Sequence, residues 1–232
     1  MRPSNIFFAT IFLLATGTLI LFGISTVGPM FSERRANETA SSKKLEALTK
    51  PKIDFGNPSR GAKTPALTIV EYGDHNCQPC SVMEQDLLRI ISDFPDKVRV
   101  VWKDFPNKDI HPDALAAAES ARCAGIQGAF WPYHDLLMAN QSSTGVENRL
   151  LMATKLGLDT DSFKSCLTSQ ATNPTVLRDV EEALRLQVDG TPYLFMGDRR
   201  VSGSIGYDQL KTFVEAALAS VPAVKAPAPS TP

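Results

Sequence analysis

The chain has 232 residues, room for one large domain or two small ones, with ordinary apolar content and a formal net charge of −1. Charge so close to zero, with no basic face, argues against nucleic acid as a partner. Four cysteines are an even number, and two pairs would suit an oxidising compartment.

From Arg2 to Glu33 there is no charge, and Ile6 to Ile24 is an unbroken run of apolar, small and hydroxyl residues. Its length meets the roughly 20 residues needed to cross a bilayer. It exceeds a usual signal-peptide apolar region and no clean small-x-small cleavage site follows it, so residues 1–31 read as an uncleaved signal anchor. Arg34, Arg35, Lys43 and Lys44 follow the span while only Arg2 precedes it, which by flanking charge alone would hold the domain in the cytoplasm. Long domains translocate regardless of such charges, and paired cysteines favour the outside. Residues 32–52 are polar and charged and read as a juxtamembrane linker.

Ile53-Asp54-Phe55-Gly56 suggests a short strand, ended by Asn57-Pro58. Leu67 to Tyr72 is nearly all apolar or β-branched, as in a strand buried on both faces. Gly73-Asp74-His75-Asn76 makes a turn, and Cys77-Gln78-Pro79-Cys80 follows. Met83, Leu87, Ile90, Ile91 and Phe94 then mark a helix from about Cys77 to Phe94, ended by Pro95.

The two cysteines therefore sit where a strand gives way to a helix. The first turn of a helix carries unpaired N–H groups and the positive end of the dipole. A thiolate at Cys77 is stabilised there and its pKa lowered, and Cys80 is within reach for a disulfide. Strand, C-x-x-C and helix together point to thiol–disulfide exchange. Half of a zinc site is the first alternative, but no second close pair of ligands accompanies it. An inert local staple is the second.

Val98 to Lys103 is the next strand, so that 53–108 forms a first α/β portion. Residues 109–187 are helical and almost free of strand signals: an Ala-rich helix from Ala114 to Ala124, interruptions at Gly125 and Gly128, and helices at Val146–Leu156, Ser162–Thr168 and 173–187. The α/β pattern returns over 188–220. Asp189-Gly190-Thr191-Pro192 is a turn, Tyr193–Met196 and Arg199–Ser202 are strands about a Gly197-Asp198 hairpin, and Tyr207–Leu218 is an amphipathic helix. Residues 221–232 are rich in Pro and Ala and read as disordered.

This order, with Val70-Glu71-Tyr72 before the cysteines, Trp102-Lys103-Asp104-Phe105-Pro106, Gln127-Gly128-Ala129-Phe130-Trp131 and Val188-Asp189-Gly190-Thr191-Pro192, resembles the DsbA-like thiol–disulfide oxidoreductases. The resemblance covers about Ile53 to Ala219. It implies an α/β thioredoxin-like fold with an inserted helical domain, working without metal or organic cofactor in the periplasm or at the outer cell surface. It implies Cys77 as nucleophile, Cys80 as resolving cysteine, and a cis Thr191-Pro192 bond facing them that leaves the Thr191 backbone free to pair with substrate. Glu71 matches a buried acid that takes or relays the Cys80 proton; a solvent-facing carboxylate, or one paired with Lys103, is the alternative. Some members pair cysteines in the helical block, so a Cys123–Cys166 disulfide is expected, against two buried free thiols.

One departure stands out. Strongly oxidising members carry histidine just before the second cysteine, where this chain has Pro79, so its disulfide should be less oxidising. His75 would only cap the loop, and His111 and His134 read as surface or core residues. Trp131 and Tyr193 are candidates to hold substrate chains. Expected partners are unfolded or cysteine-containing proteins, a membrane or soluble redox partner, and the membrane itself. A reductase or isomerase of the same fold, kept reduced by a membrane donor, is one alternative; a non-enzymatic binding or chaperone module is another.

Overall fold

A computed structural model describes residues 48–220; the expected membrane span, most of the linker and the Pro- and Ala-rich tail lie outside the described residues. Among the described residues no helix is long and apolar enough to cross a membrane. The strands are β1 (Ser59–Gly61), β2 (Leu67–Gly73), β3 (Val98–Asp104), β4 (Tyr193–Met196) and β5 (Arg199–Ser202). The helices are α1 (Gln78–Asp93), α2 (Ala114–Ile126), α3 (Phe130–Ala139), α4 (Val146–Lys155), α5 (Thr160–Thr168), α6 (Asn173–Arg185) and α7 (Tyr207–Ser220).

The sheet order is β1-β3-β2-β4-β5, with β2 and β3 parallel and the other pairs antiparallel. β2 is central, which is why its sequence is apolar apart from Thr68 and Glu71. The period of two splits its side chains between two cores. Leu67 and Ile69 pack with Met83, Leu87 and Ile90 of α1 and Leu210 and Val214 of α7. Val70 and Tyr72 face the other way, with Ala183, Leu186 and Phe195. The helical block between β3 and β4 builds a third core that takes in Trp102, Cys77 and Cys80.

The α6 side of β3 carries charge beside the hydrocarbon of Val101. Lys103 Nζ donates to Glu182 at 2.6 Å and Asp179 at 3.3 Å, and Tyr72 Oη donates to Glu182 at 2.9 Å. Arg122 bridges Asp104 and Asp179 at 2.6 and 2.7 Å. Buried charges are tolerable only when paired in this way, and the network ties α2 and α6 to the end of β3.

The stretch Ile53–Gly56 is not a strand. The Asp54 N–H donates to Asn57 Oδ1 and the Asn57 N–H to the Asp54 carbonyl, closing a turn that leaves Phe55 fully exposed. The first strand is Ser59–Gly61, an edge strand on β3. The Ala-rich helix starts at Ala114 and runs two residues past Ala124, to Ile126. Cys123 and Cys166, in α2 and α5, form a disulfide with Cα atoms 5.9 Å apart.

Candidate active site

Asp74 organises the turn that presents the cysteines. Its backbone carbonyl accepts from the Cys77 N–H at 3.0 Å. Its Oδ1 accepts from the Asn76 N–H at 2.8 Å, and its Oδ2 accepts from the Asn107 N–H at 3.0 Å and lies 2.8 Å from His111 Nδ1. Cys77 is the N-cap of α1, with extended backbone. Its carbonyl accepts from the N–H groups of Cys80 and Ser81. Pro79 fits here because a first-turn N–H has no helical partner to lose.

Both thiols are free. Cys80 is fully buried and Cys77 nearly so. Cys77 Sγ donates to the Thr191 carbonyl at 3.4 Å, and the Thr191–Pro192 bond is cis. Burial pushes the Cys80 thiol far up. The Cys77 thiol is pulled down to about 6, first by the Cys80 side chain and further by the Cys80 backbone N–H, against burial and the Asp74 carboxylate. The pair is thus asymmetric: one sulfur ionises near neutrality and the other keeps its proton.

Glu71 lies beneath them. It pairs with Trp102 on β3 and Leu194 on β4, sharing the sheet face of Leu67 and Ile69. Its side chain is wholly buried and neither carboxylate oxygen has a hydrogen-bond partner. Burial raises its pKa to about 8, with Arg60 opposing and Cys77 adding to the rise. Lys103 is not its partner: one residue beyond Trp102, it projects to the opposite face of the sheet and joins α6.

Two histidines close the site on the side of the helical block. His75 Nε2 lies 3.1 Å from His134 Nδ1, and both rings pack on Trp102. His134 Nε2 lies 3.3 Å from Glu84 Oε1, and Glu84 is hydrogen-bonded to Arg60. Burial holds both imidazoles down at about 3, so at neutral pH neither is a cation that could stabilise a thiolate. His134 is a core residue, whereas His111 is a half-exposed partner of Asp74.

Arg60 stacks over Trp131 at 4.1 Å, and Trp131 Nε1 donates to the Ser59 carbonyl. Tyr193 is buried against Phe195 in the core under α6, so it is not open to a substrate chain. Among the described residues no group of three or more His, Cys, Asp or Glu is placed to hold a metal ion. Asp74, the His75–His134 pair and Gln141, whose side chain donates to the Cys77 carbonyl at 2.7 Å, were not legible as site residues in the sequence. Gln141 lies 64 positions from Cys77, and no spacing rule links the two.

A family model described as thioredoxin matches residues 55–216. The chain belongs to the thioredoxin family. It is DsbA-like in carrying a helical block between β3 and β4 of the thioredoxin-like fold. Among solved structures, a thioredoxin-like oxidoreductase from Silicibacter pomeroyi is 25% identical with a TM-score of 0.66, covering 72% of this chain and 95% of that one. A periplasmic thioredoxin-like protein from Salmonella enterica serovar Typhimurium is 28% identical with a TM-score of 0.60, covering 72% and 92%. A curated relative, the Na(+)/H(+) antiporter NhaA 1 of Salinispora arenicola, is 39% identical over 160 residues, 69% of this chain. The chain spans about a quarter (24%) of the length of that relative.

Proposed function

We propose that the protein is an extracytoplasmic dithiol–disulfide oxidoreductase acting on cysteine-containing protein substrates through Cys77 and Cys80. Membership of a thioredoxin-fold family of redox proteins supports the general chemistry. The observation that carries the reading is the asymmetry of the two thiols: Cys77 at the helix start with its pKa near 6, Cys80 buried behind it and protonated. Likeness to a periplasmic thioredoxin-like protein supports the compartment, and the apolar run Ile6–Ile24 would supply the anchor. Antiport is not carried over from the relative of which this chain spans a quarter.

In the oxidising direction a substrate thiolate attacks Cys77 Sγ of the Cys77–Cys80 disulfide. A substrate–Cys77 bond forms and Cys80 leaves as a thiolate, taking the proton of Glu71. A second substrate thiolate attacks the substrate sulfur, releasing Cys77 thiolate and a substrate disulfide. The two electrons now on the protein pass to a redox partner that restores the Cys77–Cys80 bond. The reducing direction is the reverse: Cys77 thiolate attacks a substrate disulfide, and Cys80, deprotonated by Glu71, resolves the intermediate.

The acidity of Glu71 follows the state of Cys77. A Cys77 thiolate raises its pKa. Once Cys77 is bonded to substrate that charge is gone, so Glu71 gives up its proton more readily and more of it is the carboxylate that can take the Cys80 proton. Pro79 before Cys80 and the neutrality of His75 favour a mildly rather than strongly oxidising couple, since no cation holds the thiolate. The test is a Cys80→Ala variant incubated with a disulfide-containing model peptide. It should accumulate a mixed disulfide through Cys77. Wild-type protein that fails to exchange disulfides, with no adduct in the variant, would leave the binding-module reading instead.

A further inference from the structure

The turn carrying Cys77 is held from outside by one segment of the helical block. Gln141 sits in a short 3-10 turn, Gln141–Ser143, just after α3. Its side-chain amide has two N–H donors. They go to the Cys77 carbonyl at 2.7 Å and the His75 carbonyl at 3.1 Å. The grip is reciprocal: Asn76 Nδ2 donates to the Gln141 carbonyl at 3.1 Å and to Thr144 Oγ1 at 2.6 Å. Below them, the His75 ring meets His134 on α3. Each of the three residues before α1 is thus tied to α3 or to the segment that follows it.

The Cys77 carbonyl is the important end of this clamp. It is already the first acceptor of α1, taking the N–H groups of Cys80 and Ser81 at 3.0 and 3.3 Å. A third donor from Gln141 fixes the plane of that peptide. The same peptide sets where Cys77 Sγ stands relative to the Cys80 thiol and N–H, the two groups that favour its ionised form.

We propose that Gln141 is a positioning residue for the nucleophile. Through the Cys77 carbonyl it holds the Cys77 sulfur against the donors of Cys80, so the helical block takes part in setting thiol reactivity and not only in covering the site. The inference rests on the reading of Cys77 as the attacking sulfur. Gln141 acts through Cys77 and touches no substrate.

Two substitutions test it. Gln141→Met keeps the side-chain length and removes both donors. Gln141→Glu keeps the shape and turns acceptors toward two carbonyls. The measurements are the pH dependence of iodoacetamide alkylation of Cys77 in reduced protein, the Cys77–Cys80 reduction potential against glutathione, and thermal unfolding. The alkylation midpoint should rise by about one unit in Gln141→Glu and by less in Gln141→Met. Alkylation below the wild-type midpoint should then slow up to about tenfold. The potential should become more negative, because the reduced form loses thiolate stabilisation.

A lower unfolding temperature with an unchanged alkylation midpoint would mean that Gln141 is only structural, and would overturn the proposal. If neither variant folds, Asn76→Ala opens the clamp from the other side, and an unchanged midpoint there overturns it equally. Wild-type protein without a low-pH alkylation midpoint would fail the nucleophile reading itself, an outcome distinct from wild type with a low midpoint and variants that match it.

Discussion

Cys77 and Cys80 lie at the mouth of one helix with free sulfurs; Cys123 and Cys166 lie 43 positions apart inside two helices, bonded to each other. Burial does not separate the pairs, since Cys77, Cys80 and Cys123 are all under 5% exposed. What separates them is the polar company of the sulfur. Cys77 has the Cys80 N–H, a neighbouring thiol and the Thr191 carbonyl around it. Cys123 has apolar neighbours and one hydroxyl, Thr172 Oγ1, at 3.8 Å. A reactive cysteine is recognised by what can stabilise its anion, not by how deep it sits.

The comparison breaks most sharply at Cys77, the proposed nucleophile. Cys77→Ser should reduce exchange of a model disulfide to the uncatalysed background, while replacing Cys123 and Cys166 together by Ala should leave that rate within about twofold. Comparable losses in both variants would erase the distinction. The second pair should show itself in stability instead. Opening a loop of this length should cost about 3–4 kcal/mol in the chain-entropy picture, read as a lower urea midpoint for the double Ala variant.

Glu71 sharpens the contrast, because it is an acid close to both sulfurs of the first pair. Glu71→Gln should slow Cys80-dependent resolution about a hundredfold and flatten its rise with pH toward 8. Stability follows with a definite sign. The folded pKa, about 8, lies above the ordinary 4.5. The stability contributed by protonated Glu71 is therefore full below pH 4.5 and is lost as pH rises through 8. Relative to wild type, Glu71→Gln should gain stability at pH 8–9 and little at pH 5. Urea unfolding across that range checks this.

The smallest effect is expected at Gly73. A Cβ there would lie 2.2 Å from the Trp102 ring, on which His75 and His134 pack. Gly73→Ala should cost about 1–3 kcal/mol and alter Cys77 alkylation, with the Cys123–Cys166 bond unaffected by peptide mapping.

Much of this was legible in the residues, and the exceptions have physical causes. The β2–α1 unit announces itself because a both-faces-buried strand and an amphipathic helix have distinct periods. Ile53–Gly56 misleads because its alternation mimics a strand, yet Asp54 and Asn57 bond to each other and close a turn. The true edge strand, Ser59-Arg60-Gly61, has no apolar pattern, since it contributes backbone hydrogen bonds rather than a packed face. Glu71 stands out as a lone carboxylate among apolar residues. That Lys103 cannot reach it needs the sheet register, which no single strand carries. The His75–His134 contact joins residues 59 positions apart and leaves no local trace.

The contact between Cys77 and Thr191 spans 114 positions, and this has a consequence for the order in which the protein becomes competent. Synthesis runs from the N-terminus, so all four cysteines join the chain before β4 and β5 do. Until those strands arrive, β2 lacks one of its two neighbours and Glu71 is open beside Leu194's empty place in the sheet. A growing chain therefore holds its dithiol before the Thr191 carbonyl is there to meet Cys77.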